Sequence, residues 1–429
     1  MGESRSSAIG VVTIGILCLF GSLALLSFWI LDFLNAQGAA IPRFGVTIGR
    51  DFANLWIGGR DVWDQHLGSL YDLDDYLAFM RGYFPHQTQH NYSYPPHSLF
   101  FGAIFGALPY LPAYGLWVAS NAAFFLYAAR PYVRSFPLVL AILTPGALTN
   151  IWDGQYGFLI GGLWLLMFSR LERKPRQAGL LAGLLTIKPH LGLLLPFILL
   201  EQKRYRAILF AALTTLALLA LSGMVVGFGL WRDYLVKAPV AQAQILMTSD
   251  ENIYFRMMPT TLVAFRGYPA GIAAGAQIIT ALFALSLLWR ARGAKPRELA
   301  FISATATFLI LPYAFNYDMT VLCLGLIVLM ADRWTALATW ERFFLSMGVM
   351  LPTLIFAANL YGIPLAPALL CPCLAIQLRN SSAAPRRHAR LSMPRAYRIA
   401  AKQRSLARRS GKALIRLSEA GRNVRRRPS

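Results

Sequence analysis

Asp51 opens the run Asp51-Phe52-Ala53-Asn54-Leu55-Trp56-Ile57-Gly58-Gly59-Arg60. Phe52, Leu55 and Trp56 recur at i, i+3 and i+4, the period of an amphipathic helix. Asp51 is therefore expected at a helix N-terminus. Two roles suit a carboxylate there: it can cap the first turn, or, left free of a capping bond, it can take a proton from a reacting hydroxyl. Spacing alone does not choose between them. Asp51 sits in the long polar stretch 35–96, with Asp61, Asp64, Asp72, Asp74, Asp75, His66, His86 and His90. The same stretch is dense in aromatics, among them Trp56, Trp63, Tyr71, Tyr76, Tyr92 and Tyr94, which suits a membrane interface or a cleft where rings stack on a sugar.

Other polar residues stand out by where they fall. Lys188-Pro189-His190 interrupts the apolar stretch 177–200 near its middle, where snorkelling is hardest. An ionisable side chain at such a point costs about 2.5–3.5 kcal/mol on insertion scales and marks a functional site by default. Asp318 follows Pro312-Tyr313-Ala314-Phe315-Asn316-Tyr317 between two apolar runs, as a site residue or a plain loop carboxylate. Tyr92-Ser93-Tyr94-Pro95-Pro96 forces an extended entry into the next helix, and Asn150-Ile151-Trp152-Asp153-Gly154-Gln155 is a polar turn between apolar runs. Cys18, Cys323, Cys371 and Cys373 all lie in apolar runs, with no disulfide framework, redox CxxC or zinc spacing. Asp72-Leu73-Asp74 is formally a D-x-D pair, but it lacks acidic partners placed to complete a metal site. No metal is expected. No glycine-rich phosphate loop is present, so ATP-driven transport by this chain alone is not expected.

The elements that must hold these residues are apolar. Of 429 residues, 56% are hydrophobic and 14% charged, against about 25% charged in soluble domains, and the mean hydropathy is +0.49. The first apolar run, 8–34, is too long for the roughly 7–15-residue core of a signal peptide and reads as a retained helix. Further runs follow at 97–130, 135–151, 155–169, 177–200, 206–230, 268–289, 299–315, 319–331, 343–360 and 363–378. In lipid each backbone amide needs an internal partner, so these should be helices; a barrel would show short alternating segments instead. The expectation is an all-α, polytopic transmembrane bundle of ten to thirteen helical segments. Basic clusters at 170–176, 203–206, 290–297 and in the tail mark the cytoplasmic side. They place both termini inside and 35–96 on the outer, periplasmic face of a bacterial inner membrane, carrying interfacial helices. Both flanks of 177–200 are then on one side, which predicts two half-helices with 188–190 at the far apex; 97–130 is likewise broken by Pro109-Tyr110-Leu111-Pro112. Residues 1–378 form one transmembrane domain. The stretch 379–429, Arg-rich with Glu419 its only acid, is a basic cytoplasmic tail, expected partly disordered and suited to anionic membrane lipids rather than nucleic acid.

Taken in order, Asp51-Phe52, Gly68-Ser69-Leu70-Tyr71-Asp72, Tyr94-Pro95-Pro96, Asn150 to Gln155, Lys188-Pro189, Pro312-Tyr313 and Tyr317-Asp318 resemble the integral-membrane glycosyltransferases of the GT-C type. In particular they are similar to family 87, the polyprenyl-phosphate-mannose-dependent mannosyltransferases. The resemblance spans about 51–320 and leaves the tail outside. It implies an inverting transfer of a mannosyl- or arabinosyl-type sugar from a polyprenyl-phosphate donor to a lipid or glycan acceptor, without a cofactor. The family's first-loop acid, the general base, falls on Asp51. Lys188 and His190, with Arg60 in reserve, would hold the donor phosphate. Tyr94, Asp153, Gln155, Tyr317 and Asp318 would contact substrate. A transporter or flippase of a lipid-linked sugar is the alternative, since broken helices with a lysine in mid-membrane would serve that too; a non-catalytic envelope scaffold is a third reading.

Overall fold

The computed structural model describes residues 2–88, 90–247 and 253–383. The fold is all-α, with a single two-stranded hairpin among these residues, Ala40–Ile41 paired antiparallel with Val46–Thr47. The tail expected from 379 onward lies, past residue 383, outside the described residues, and with it the expected lipid contact.

Among the described residues, four helices are long and apolar enough to cross a membrane: Ile9–Leu34, Tyr205–Val226, Ala270–Gly293 and Thr339–Leu360. The chain is thus polytopic. Helix Tyr205–Val226 exposes Leu209, Leu213, Leu216 and Met224, and the helix that begins at Ala270 exposes Ile278, Ile279 and Leu282. Contiguous apolar faces of this kind require a hydrocarbon environment or a partner.

The remaining apolar stretches are cut into shorter helices than the sequence runs suggested. Gly157–Arg170 and Thr320–Arg333 have 14 residues each, and Pro296–Ile310 and Leu365–Arg379 have 15. A straight span needs about 20. The short helices are tolerable because protein surrounds them: every residue from Gly157 to Phe168 is buried. Trp164 donates its indole N–H to the Ala300 carbonyl at 2.9 Å, and the Thr320 hydroxyl donates to the Gly157 carbonyl at 3.0 Å, tying these helices together.

The breaks fall where proline dictates. Before Pro189, Lys188 is forced out of the helical region to φ −125°, ψ 78°. The stretch 177–200 accordingly divides into helix Pro175–Leu184, a turn of 3-10 helix at Leu185–Ile187, and helix Leu195–Glu201, which matches the expected pair of half-helices. At Pro109 the stretch 97–130 bends by 118° between Pro96–Gly106 and Tyr110–Ala129.

The polar stretch 35–96 is folded onto this frame. Helix Phe52–Trp63 lies against helix Leu99–Gly106 at a distance only glycine permits. A Cβ on Gly59 would stand 1.9 Å from the Gly102 carbonyl oxygen and 2.9 Å from the Gly106 Cα. A second helix, Leu73–Tyr83, is capped by Asp72, whose carboxylate accepts from the Asp75 amide at 3.4 Å.

Candidate active site

Asp51 does not cap its helix. It precedes Phe52 with helical angles, φ −72° and ψ −16°, and its side chain makes no capping bond; a capping residue takes extended angles instead. The carboxylate turns into a cavity of about 290 Å³. There Oδ2 accepts a hydrogen bond from the Gln155 side-chain amide at 2.7 Å, and Oδ1 stands 3.5 Å from His90 Nε2.

Two left-handed turns make that contact. Gly49 and Arg50 have φ of +72° and +36°, and Gly154, which ends helix Pro145–Asp153, has φ of +60°. The turns touch: a Cβ on Gly154 would come within 2.6 Å of the Phe52 Cβ and 3.2 Å of the Gly49 carbonyl oxygen. Gly154 thus needs to be glycine twice over, for its φ and for the approach. The residue after each turn, Asp51 in one and Gln155 in the other, then meets its partner. Gln155 is fixed further by the Tyr94 hydroxyl, which donates to its Oε1 at 3.0 Å, and by the Tyr156 amide at 3.2 Å.

Across the cavity, Lys188 donates to Asp318 Oδ1 at 2.9 Å, and both side chains are almost wholly buried. The ammonium lies 4.8 Å from the Tyr317 ring centroid and 6.0 Å from that of Tyr94. Of its three N–H donors, one is engaged by Asp318, and the lysine still lines the cavity. His190 lines it too, with its ring 5.7 Å from Tyr313. Tyr313, Phe315 and Tyr317 form an aromatic wall in which Phe315 and Tyr317 stack at 4.8 Å.

Of the residues singled out in the sequence, Asp51, Tyr94, Gln155, Lys188, His190 and Tyr317 line this one cavity. Asp318 acts one step back, as the partner of Lys188. Asp153 is buried at 1% exposure and lines no part of the cavity, so it is not placed to touch substrate. Arg60 is a correction: its guanidinium pairs with Asp64 at 2.9 Å and with the Tyr83 hydroxyl at 3.2 Å, on the outer side of helix Phe52–Trp63 and away from the cavity. The i,i+4 spacing of Arg60 and Asp64 signalled that pairing. His90, Asn54, Asn91, Tyr234 and Gln242 also line the cavity; of these only His90 carries a signal in the sequence, as one histidine of the acidic loop.

No group of three or more His, Cys, Asp or Glu able to hold a metal occurs among the described residues. In the last turn of helix Phe52–Trp63, Asp61 is a buried carboxyl whose oxygens have no hydrogen-bond partner among the described residues; His66 Nδ1 is 3.5 Å away. Burial pushes Asp61 up to about 6, and His66 offsets part of that rise.

A carboxylate held by an amide, facing a lysine and a histidine across an aromatic-walled cavity, can take a proton on one side while cations and donors hold an anion on the other. The sequence profile of glycosyltransferase family 87 matches residues 92–312. The matched segment carries Tyr94, Gln155, Lys188 and His190, and the geometry joins Asp51, His90 and Tyr317 to it from outside. No curated protein matches the chain, and no solved structure does.

Proposed function

Since the chain belongs to glycosyltransferase family 87 and is a multi-pass membrane glycosyltransferase, we propose that it draws its sugar from a polyprenyl-phosphate donor. In this reading the sugar, of mannosyl or arabinosyl type, passes to a lipid or glycan acceptor at the periplasmic face of a bacterial inner membrane. The basic clusters support that orientation.

The observation that carries the reading is that two cavities share a wall residue. Beside the polar one lies an apolar cavity of about 560 Å³ between the broken stretch 177–200 and helix Tyr205–Val226, walled by Leu185, Leu193, Leu199, Ile208 and Leu216. Pro189 lines both. A donor with a phosphate at Lys188 and His190 would lay its hydrocarbon chain in the apolar cavity and its sugar against Tyr313, Phe315 and Tyr317.

The chemistry then needs one base. The acceptor oxygen attacks the anomeric carbon and its proton passes to Asp51. The bond from that carbon to the phosphate oxygen breaks, and the electron pair leaves with the polyprenyl phosphate. Attack opposite the leaving group inverts the centre. A lipid phosphate departs without full protonation, so a second carboxylic acid, which a glycosidase requires, has no task here. The Lys188 ammonium, with His190 beside it in the cavity wall, stabilises the charge that develops on the phosphate. No cofactor or divalent metal enters the reaction so written.

The test is Asp51→Asn in detergent-solubilised protein given radiolabelled polyprenyl-phosphate sugar and acceptor lipid. Removing a general base lowers the rate by about 10²–10⁴-fold, while folding and membrane insertion persist. Full activity in the variant would remove Asp51 from the mechanism. Transfer in micelles, where no sealed compartment exists, also separates this reading from a flippase, which would give none.

A further inference from the structure

Asp51 is aimed by a charge cluster that touches no part of the cavity. At its centre is Asp32, near the end of the first membrane helix and 2% exposed. Arg50 grips it with a fork: Nη2 donates to Oδ1 at 2.9 Å and to Oδ2 at 3.0 Å, and Nε to Oδ2 at 3.2 Å. Trp152 donates its indole N–H to the same Oδ2 at 2.6 Å, and the Arg50 guanidinium lies 4.5 Å from the Trp152 ring centroid. The cluster thereby gathers the first membrane helix, the residue before Asp51, and a residue three positions before Gln155.

Arg50 is unusual in its backbone. Its φ of +36° is a conformation that residues with a Cβ adopt at a cost and keep only where surroundings enforce it. The enforcing contact is the two-pronged bond to Asp32, whose planar match to guanidinium fixes direction as well as distance. The left-handed turn at Gly49 and Arg50 sets Asp51 into helical rather than extended angles, and this keeps its carboxylate off the helix amides and in the cavity. Trp152, held by the same carboxylate, fixes the far side of the contact through the Gly154 turn.

We propose that Asp32 and Arg50 are positioning residues for the transfer reaction, one carboxylate setting both halves of the Asp51–Gln155 contact. The inference rests on Asp51 being the base. It explains why an aspartate, a strained arginine and a tryptophan converge at the end of a membrane helix, where a buried charge otherwise has no reason to be. Displacing a reacting group by about 1 Å costs about 100-fold in rate, so the effect belongs in kcat and not in the binding of donor.

The experiment compares Asp32→Asn, Arg50→Lys, Arg50→Gly and Asp51→Asn in purified protein, with kcat and KM for the donor measured separately and folding checked by monodispersity and thermal melting. Asp32→Asn is expected to lower kcat about 100-fold with KM within twofold. Arg50→Gly relieves the backbone but lacks the fork and is expected to fall as far. Arg50→Lys keeps the charge without the planar fork and is expected to fall less. Should Asp32→Asn fail to insert, the two Arg50 variants, whose site lies outside the membrane-spanning helices, decide the matter. An inactive Asp51→Asn beside Asp32→Asn or Arg50→Gly of wild-type kcat overturns the positioning role and leaves the base intact. Loss of activity through KM alone, or in step with loss of melting temperature, also overturns it. An active Asp51→Asn overturns the base assignment and this inference with it.

Discussion

Replacing Lys188 by methionine removes the cation from the buried pair with Asp318 and leaves a carboxylate stranded. The pair is 2.9 Å apart, with side-chain exposures of 5% and 0%, so solvent screens it little. Breaking such a pair by deleting one partner costs about 3–5 kcal/mol, whereas replacing both by apolar groups of similar volume is often neutral or better. Lys188→Met and Asp318→Leu should therefore each lose about 3–5 kcal/mol, and the double variant should recover most of that loss. The assay is reversible denaturation in mixed micelles followed by tryptophan fluorescence, read as a double-mutant cycle. Transfer activity measured on the same samples separates the two roles of the lysine. The double variant should be stable and still inactive, because the anion at the donor phosphate has lost its cation. A single-variant loss below about 1 kcal/mol would refute the strength assigned to the pair, and a stable, fully active double variant would refute the phosphate role.

Two further outcomes are expected. In Gly59→Ala the new methyl would stand 1.9 Å from the Gly102 carbonyl oxygen, and since backbone cannot yield like a side chain, helices Phe52–Trp63 and Leu99–Gly106 must separate. A loss of at least about 2 kcal/mol is expected, against little change in Gly68→Ala, where nothing lies within 4 Å; equal melting of the two would refute the close contact. For Asp61, a folded-state value of about 6 lies above the ordinary carboxyl value of 3.8, so folding favours the protonated acid. The stability this group contributes is complete below about pH 4 and is lost as pH rises through 6. Asp61→Asn should remove that slope and stabilise the protein at pH 8 by up to about 3 kcal/mol, with His66 and Asp64 the charges that face it. A wild-type stability flat from pH 4 to 8 would count against it.

Much of the site could be read from residue order because proline and charge are local signals. Lys188-Pro189 announces a break, since proline dictates the angles of the residue before it, and the structure divides the helix there. Asp51 was different: an aspartate before an amphipathic helix is equally a cap or a free carboxylate, and only the fork from Arg50 to Asp32, eighteen residues away, separates the two. His90 reaches the cavity from an irregular loop whose course no periodicity encodes. The apolar runs were legible as helices but not as spans, because whether a 14-residue helix such as Gly157–Arg170 is tolerable depends on neighbours brought in from residues 296–333. Arg60 is claimed by Asp64 four residues on, a local pairing that its charge alone does not reveal.

The shared wall at Pro189 has a kinetic consequence. If the donor chain lies in the apolar cavity while its phosphate lies in the polar one, the carrier need not leave the bilayer between turnovers. The concentration that governs the rate is then the mole fraction of donor among the surrounding lipids, a two-dimensional quantity. Diluting the enzyme and its membrane together with buffer would leave the rate per enzyme unchanged, whereas adding inert lipid or detergent at fixed donor would slow it.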